Sequence, residues 1–412
     1  MSVVIIGGGQ AGLQVADSLR GGGYTGAVTI VADEAGLPYQ RPPLSKDYLA
    51  PGADPAPLPL RAASFFTGKD IQLRAGTAVV AVDRAAKEVT LQDGSTLPYA
   101  HLVFATGAAN RALTCAGADL PGVHGLKTLG DAETLHAALA GARDVVVVGA
   151  GFIGLEFAAA ARARGCSVTV LEFAPRPMGR ALSPAMSDWF AAAHAELGVR
   201  LQLGEGISHF DAGDGGRVGT AVSTTGARYP ADLVVVGIGV VPNDSLAAAA
   251  GLETGNGIVV DEALRTSDPS ILAVGDCASF PSLHAGGLSR LESVQNATDQ
   301  GRHAAQTILG PPSAYTELPW FWSTQGSLRL QIAGLSAPGD STVLNGDPAA
   351  GKFSILCFRD GRLAAVESVN SPGDHLGARK LLAAGRGPSP EEAAAPGFSL
   401  KAYARQAASS FV

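Results

Sequence analysis

Val3-Val4-Ile5-Ile6-Gly7-Gly8-Gly9-Gln10-Ala11-Gly12 is a run of β-branched residues leading into G-x-G-x-x-G. The arrangement returns at Val145-Val146-Val147-Val148-Gly149-Ala150-Gly151-Phe152-Ile153-Gly154. In each copy an apolar helical pattern follows, then a second strand pattern ending in an acid: Asp33 after residues 27–32, Glu172 after residues 167–171. The spacing has a physical reading. The first glycine permits a tight strand-to-helix turn, the second lets backbone approach a pyrophosphate, and the third lets helix pack closely on strand. The phosphates then sit at the positive end of the helix, and the acid about 20 residues on accepts hydrogen bonds from a ribose hydroxyl. In a chain with 53 glycines a lone match carries little weight. Here strand, glycines, helix, strand and acid arrive in order twice. The sequence therefore predicts two bound dinucleotides and electrons passing between them.

The two sites are expected to differ. Leu102-Val103-Phe104-Ala105-Thr106-Gly107 and Ile271-Leu272-Ala273-Val274-Gly275-Asp276 both look built to complete the first one. A flavin dinucleotide is long enough to need such added contacts. A nicotinamide dinucleotide must come and go, which suits a self-contained insert with its own glycine turn.

The 412 residues exceed one core, so two or three domains are expected. With 46% hydrophobic and 16% charged residues, the composition fits large buried parallel sheets. No apolar run approaches the roughly 20 residues that span a bilayer. Met1 leads into a strand within two residues, leaving no room for a signal peptide, so a cytoplasmic protein is expected. The net charge of −7 argues against nucleic acid as a partner. Cys115, Cys166, Cys277 and Cys357 stand far apart and read as small buried hydrophobes, and the eight histidines show no metal-ligand spacing and read as surface or capping residues. No metal site is signalled.

The expected fold class is α/β, with two Rossmann-like dinucleotide-binding domains, one inserted in the other, and a C-terminal α+β domain. Residues 1–107 and 243–316 form the first nucleotide domain, 108–242 the second, and 317–412 the α+β domain. Residues 38–59 read as irregular, with Arg41-Pro42-Pro43-Leu44-Ser45-Lys46 opening a short helix. After residue 318, strands are expected at 328–333, 353–359 and 363–369, and a helix near 374–384.

The ordered set of segments resembles the FAD-dependent, NADH-using ferredoxin reductases of bacterial oxygenase systems. These include putidaredoxin reductase and the biphenyl dioxygenase reductase, within the glutathione-reductase-like pyridine-nucleotide disulfide oxidoreductase fold. The resemblance covers nearly the whole chain. It is carried by residues 7–12, Leu37-Pro38-Tyr39-Gln40 with Arg41 to Lys46, Ala105-Thr106-Gly107, residues 149–156, Gly275-Asp276-Cys277-Ala278, Leu291-Glu292-Ser293-Val294-Gln295-Asn296-Ala297 and Pro319-Trp320-Phe321-Trp322-Ser323. Residues 42–46 and 320–322 are its most specific parts. The wider family often places a cysteine pair where this chain has Pro42 to Lys46, so thiol–disulfide exchange is not expected.

The resemblance implies FAD contacts at Gly7, Gly9, Ala11, Gly12, Asp33, Arg41, Lys46, Val79, Ala105, Thr106, Gly107, Lys127, Gly275, Asp276, Val294 and Trp322. It implies NAD contacts at Gly149, Gly151, Phe152, Ile153, Gly154, Glu172, Arg180 and Gly239. Asp276 is expected on the ribityl chain, and backbone N–H groups near Val294 at the flavin's N1/O2 edge. Lys46 and Glu156 are expected near the flavin's reactive edge, orienting nicotinamide and tuning potential; a structural salt bridge is the alternative. Glu172 implies NADH over NADPH, while Arg176 and Arg180 nearby weaken that preference. For a two-iron, two-sulfur ferredoxin the expected docking residues are Arg290, Arg302, Trp322, Lys401 and Arg405. The implied protein is a monomer or weak homodimer away from membranes. A rubredoxin reductase, an NADH oxidase and a redox-sensing protein like apoptosis-inducing factor remain open.

Overall fold

Ser2–Ile6 is the middle strand of a five-stranded parallel sheet, flanked by His101–Phe104 then Ile271–Ala273 on one side and Ala27–Val31 then Ile71–Arg74 on the other. A central strand covered on both faces has no polar side to present. That is why its sequence is a continuous apolar run rather than an alternation. Val3, Val4 and Ile5 are at most 2% exposed, each contributing about 1.5–3 kcal/mol by burial. The computed structural model describes residues 2–53 and 58–409, so 54–57 of the irregular connection lie outside the described residues.

The chain divides into two units. The first comprises Met1–Gln40, Pro57–Ala109 and Val240–Pro319, and the second Arg41–Ala56, Asn110–Gly239 and Trp320–Val412. The segment from Arg41, read from sequence as part of the first nucleotide domain, thus packs within the second unit.

In the first unit the helix Gln10–Gly21 follows the glycine turn and buries Leu13, Val15, Ala16 and Leu19. A second helix, Val294–Leu309, lies against it at Gly301, where a Cβ would stand 2.9 Å from the Ala11 carbonyl oxygen. Both segments that the sequence assigned to completing this sheet take their places in it.

The second unit repeats the plan. Asp144–Val148 is the middle of another five-stranded parallel sheet, with Ser167–Glu172 and Val199–Leu203 on one side and Leu233–Val236 and Val123–Gly125 on the other. The helix Phe152–Ala163 follows its glycine turn. The same unit carries an antiparallel sheet in the order Trp320–Gln325, Leu328–Gly334, Arg362–Val369, Lys352–Arg359, Ser341–Asp347. The helices Pro372–Ala383 and Leu400–Ser409 cover it through Ala378, Leu381, Leu400 and Ala404. The sequence reading named three of these strands. Ser341–Asp347 escaped it because an edge strand exposed along most of its length has little apolar alternation.

One buried acid ties the unit together. Glu367, fully buried on the antiparallel sheet, accepts from the Ser183 N–H (2.7 Å), the Ser183 hydroxyl (2.6 Å) and the Ser336 hydroxyl (3.2 Å). Ser183 is the N-cap of the helix Pro184–Glu196. Burial pushes the Glu367 carboxyl above its ordinary pKa, and the serine donors hold it back. Among the described residues no helix is long and apolar enough to cross a membrane.

Candidate active site

The glycines of the first turn serve different ends. Gly7 has φ +117°, and a Cβ there would meet the Ala105 carbonyl oxygen at 2.1 Å; a Cβ on Gly12 would meet the Gly7 oxygen at 2.1 Å. Both are fixed by packing. Gly9 is different: no described atom lies within 4 Å of a Cβ built on it. It is also the N-cap of Gln10–Gly21, and no described side chain caps that end. Open space at an uncapped helix N-terminus is where backbone N–H groups can receive phosphate.

Around this turn, Ala11 meets Gly275, whose built Cβ would lie 3.1 Å from the alanine Cβ. Gln300 accepts the Gly275 N–H at 2.7 Å. Thr106 and Asn243 exchange two hydrogen bonds, 2.6 and 2.8 Å, and the Asn243 N–H reaches the Gly107 oxygen. Asp276 lies half-buried in the short turn Gly275–Cys277, and Val294 is the first residue of a helix capped by the Ser293 hydroxyl. Asp33 is exposed two residues past the strand Ala27–Val31 and accepts from the Glu34 N–H, and Val79 opens the strand Val79–Asp83.

The second turn divides its glycines in the same way. Gly149 has φ +105° and a Cβ would strike the Gly237 oxygen at 2.5 Å; on Gly154 it would strike the Gly149 oxygen at 2.2 Å. Gly151, the uncapped N-cap of Phe152–Ala163, has only the Gly237 oxygen at 3.9 Å. Glu172 accepts from the Ala150 N–H (2.7 Å) and the Ala174 N–H (2.8 Å), so its carboxylate is fixed at the mouth of the turn. Each oxygen keeps a further lone pair for a hydroxyl. Arg180 is exposed, with its guanidinium beside Gly239, and Phe173 next to Glu172 is 79% exposed. Ile153 is 40% exposed, and Phe152 meets Phe321 edge-on.

Lys46 and Glu156 do come together. The ammonium lies 2.7 Å from the Glu156 Oε2 and 3.0 Å from the Pro42 carbonyl oxygen. Ser45 donates to the same Oε2 at 2.5 Å, and Ser323 donates to Oε1 at 2.7 Å. The short 3-10 turns Pro42–Ser45 and Asp47–Leu49 aim Ser45 and Lys46 at the helix carrying Glu156. Arg41 donates to the Lys127 carbonyl oxygen, and Lys127 precedes a helix with a capping box of Thr128 and Asp131. Trp320 and Trp322 stack with centroids 5.6 Å apart, and the Arg379 guanidinium sits 4.1 Å over the Trp320 ring.

Among the expected docking cations, the Arg290 side chain is 8% exposed, and its guanidinium binds Asn256, the Asp276 carbonyl oxygen and Glu292. Arg302 is more exposed but pairs with Asp299 on its own helix at 2.6 Å; Lys401 is exposed. The histidines are not all surface residues, since His194, His303 and His375 are buried. Cys166, Cys277 and Cys357 are buried as expected, but Cys115 is only partly so.

His375 yields a pH prediction. It packs edge-on against Trp320, and among the described residues neither ring nitrogen has a hydrogen-bond partner. Burial, aided by the charges of Arg379 and Arg329, pulls its pKa from 6.5 to about 4. As pH falls below 6.5 the unfolded ring takes up a proton that the folded ring refuses until about 4. Stability is therefore intact above 6.5 and declines through that window by about 3 kcal/mol. His375→Phe should narrow the difference in urea stability between neutral pH and pH ~4 by about that amount.

Two uncapped helix N-termini behind open glycines, each with a carboxylate one strand away, fit the pyrophosphate and ribose of two dinucleotides. The family described as pyridine nucleotide-disulphide oxidoreductase matches residues 1–301. The chain belongs to that family. A second family, described as reductase C-terminal, matches residues 320–404 of this oxidoreductase. It is 52% identical over 401 residues to rhodocoxin reductase of Rhodococcus erythropolis, covering 97% of this chain and 94% of the relative. To putidaredoxin reductase of Pseudomonas putida it is 39% identical, covering 92% and 91%. Among solved structures, the ferredoxin reductase for the CYP199A2 system from Rhodopseudomonas palustris superposes with a TM-score of 0.95 at 47% identity, covering 98% and 99%. The four cysteines of this oxidoreductase are free and none lies in residues 41–49.

Proposed function

We propose that this oxidoreductase is a cytoplasmic flavoprotein that takes electrons from NADH and delivers them to a two-iron, two-sulfur ferredoxin serving an oxygenase. The observation that carries the reading is the paired cradles together with the Lys46–Glu156 pair, its carboxylate buried and its ammonium partly so, in a chain without cysteines at residues 41–49. Relatives named as ferredoxin, rhodocoxin and putidaredoxin reductases support it.

FAD fits the first cradle, held by Gly9 and the N-terminus of Gln10–Gly21, with Asp33, Asp276 and Val294 as further contacts. When bound it supplies the conversion between a two-electron donor and one-electron acceptors. The protein's residues supply position and charge. Gly151 and the N-terminus of Phe152–Ala163 receive the pyrophosphate of NADH, and Glu172 accepts from the ribose. Lys46 presents a fixed ammonium, held by Glu156 and Pro42, that orients the nicotinamide. Trp322 and Lys401 serve the ferredoxin side, where complementary charge chiefly speeds encounter.

Glu172 also sets cofactor choice, because its carboxylate repels a 2′-phosphate. Glu172→Ala should raise the NADPH-to-NADH ratio of kcat/KM about tenfold, equal to roughly 1.4 kcal/mol of discrimination. Equal efficiency of the two cofactors in the unaltered protein would refute the preference. The function itself is tested by steady-state reduction of a panel of purified ferredoxins and rubredoxins by NADH. Fast reduction of a ferredoxin supports the proposal. Fast NADH consumption with oxygen alone would replace it with an oxidase.

A further inference from the structure

We infer that Ser323, Gln325 and His194 form a one-way hydrogen-bond chain that positions Glu156, and through it Lys46, for reduction of the flavin by NADH. The inference rests on the flavoprotein reading above and adds three positioning residues to it.

The chain runs through the interior. Ser323, Gln325 and His194 are each 0% exposed and Glu156 is 5% exposed. His194 comes from the helix Pro184–Glu196, Ser323 and Gln325 from the strand Trp320–Gln325, and Glu156 from the helix behind the second glycine turn. The contacts are His194 Nε2 to Gln325 Oε1 at 2.7 Å, Gln325 Nε2 to Ser323 Oγ at 3.1 Å, and Ser323 Oγ to Glu156 Oε1 at 2.7 Å.

Its direction follows from proton counting. A carboxylate only accepts, so the single Ser323 hydroxyl proton goes to Glu156. The Ser323 oxygen then accepts from the Gln325 amide, whose other N–H faces the Met178 sulfur at 3.4 Å. That leaves the Gln325 oxygen toward His194, which must donate from Nε2. The remaining nitrogen, Nδ1, has no partner among the described residues. An unprotonated Nδ1 there costs less than a stranded N–H. Burial, opposed by the Gln325 bond, holds the His194 pKa below its ordinary value and keeps the ring neutral. One donor from each of the three residues thus points toward Glu156, and linked donors polarise one another in a dry interior.

Glu156 Oε2 is occupied by Lys46 and Ser45, so Ser323 is the donor that fixes the carboxylate's rotation about its last bond. Without it, the carboxylate turns and Lys46 loses its set position. The alternative is that these residues merely pack.

The test compares Ser323→Ala, Gln325→Leu and His194→Phe in the FAD-loaded protein by stopped-flow reduction with NADH. At saturating NADH the rate should fall about tenfold, about threefold and less than twofold, in that order, since small misplacements at a reacting centre cost rate steeply. Half-saturation by NADH should stay unchanged, and Ser323→Thr should recover most of the rate. Packing damage would run the other way, because Ser323→Ala removes a single atom. An independent arm needs no turnover. In nitrogen-labelled protein the Lys46 ammonium NMR signal, slowly exchanging in the parent, should broaden into solvent exchange in Ser323→Ala, and the His194 ring should report the Nε2–H tautomer. An unperturbed Lys46 signal, an Nδ1–H tautomer, or losses ordered by volume would overturn the chain. If Ser323→Ala does not fold, Ser323→Cys keeps the size with a weak donor and the same readings apply. If NADH fails to reduce the parent's flavin, the function proposal falls, and the NMR arm still decides the chain.

Discussion

Gly154→Ala should lose about 3 kcal/mol of stability or more, while Gly151→Ala should fold normally and bind NADH at least tenfold more weakly. The two glycines lie three residues apart in one motif, yet the reasons for them are unlike. A methyl on Gly154 would be driven 2.2 Å from the Gly149 oxygen, which is backbone and cannot step aside. A methyl on Gly151 meets only an oxygen at 3.9 Å, so the fold tolerates it, but it stands in the mouth of an uncapped helix. The pair at the first turn, Gly12 and Gly9, should behave alike, with flavin content in place of NADH affinity. Urea denaturation read beside visible flavin absorbance and NADH titration checks all four. Equal destabilisation by Gly9→Ala and Gly12→Ala would mean that Gly9 is structural.

Lys46→Met should slow flavin reduction by NADH about a hundredfold and also cost about 3–5 kcal/mol, because it strands the Glu156 carboxylate in the interior. The two effects separate in the double variant. Lys46→Met with Glu156→Gln removes the stranded charge, so stability should largely return while the rate stays low. A bridge serving structure alone would give the opposite pattern, with an unchanged rate in every folded variant. Stopped-flow reduction beside chemical denaturation decides between them. Glu156→Gln alone should be milder in stability, since Lys46 is 16% exposed on its side chain and can turn to water, whereas the Glu156 side chain is 4% exposed.

The fold was legible where its physics is local. Runs such as Val145 to Val148, the glycine turns behind them and the terminal acids each report short-range geometry, and both parallel sheets followed from them. The site was legible in part. Lys46 and Glu156 rested on resemblance, since nothing in their spacing of 110 residues predicts a 2.7 Å contact. Gln325 and His194 were missed because ordinary polar residues in a strand and a helix carry no motif, and Ser323 was quoted only as the end of the tryptophan segment, with no role assigned to it. The one cue was polar residues alternating at 323 and 325 in a strand that begins with Trp320 and Trp322. The pairing of Arg290 was not legible because charge in a sequence says nothing about burial, and a guanidinium with five donors is readily used up inside a protein.

The Glu367 clamp bears on how such enzymes can be recombined. A tail beginning at Trp320 and set on a different nucleotide-binding body would bring Glu367 and Ser336 without Ser183, leaving the interior carboxyl short of two donors. Grafts of this chain should succeed only when Ser183 and Ser336 travel with Glu367, so its exchangeable cassette is defined by a hydrogen-bond set and not by a stretch of contiguous chain.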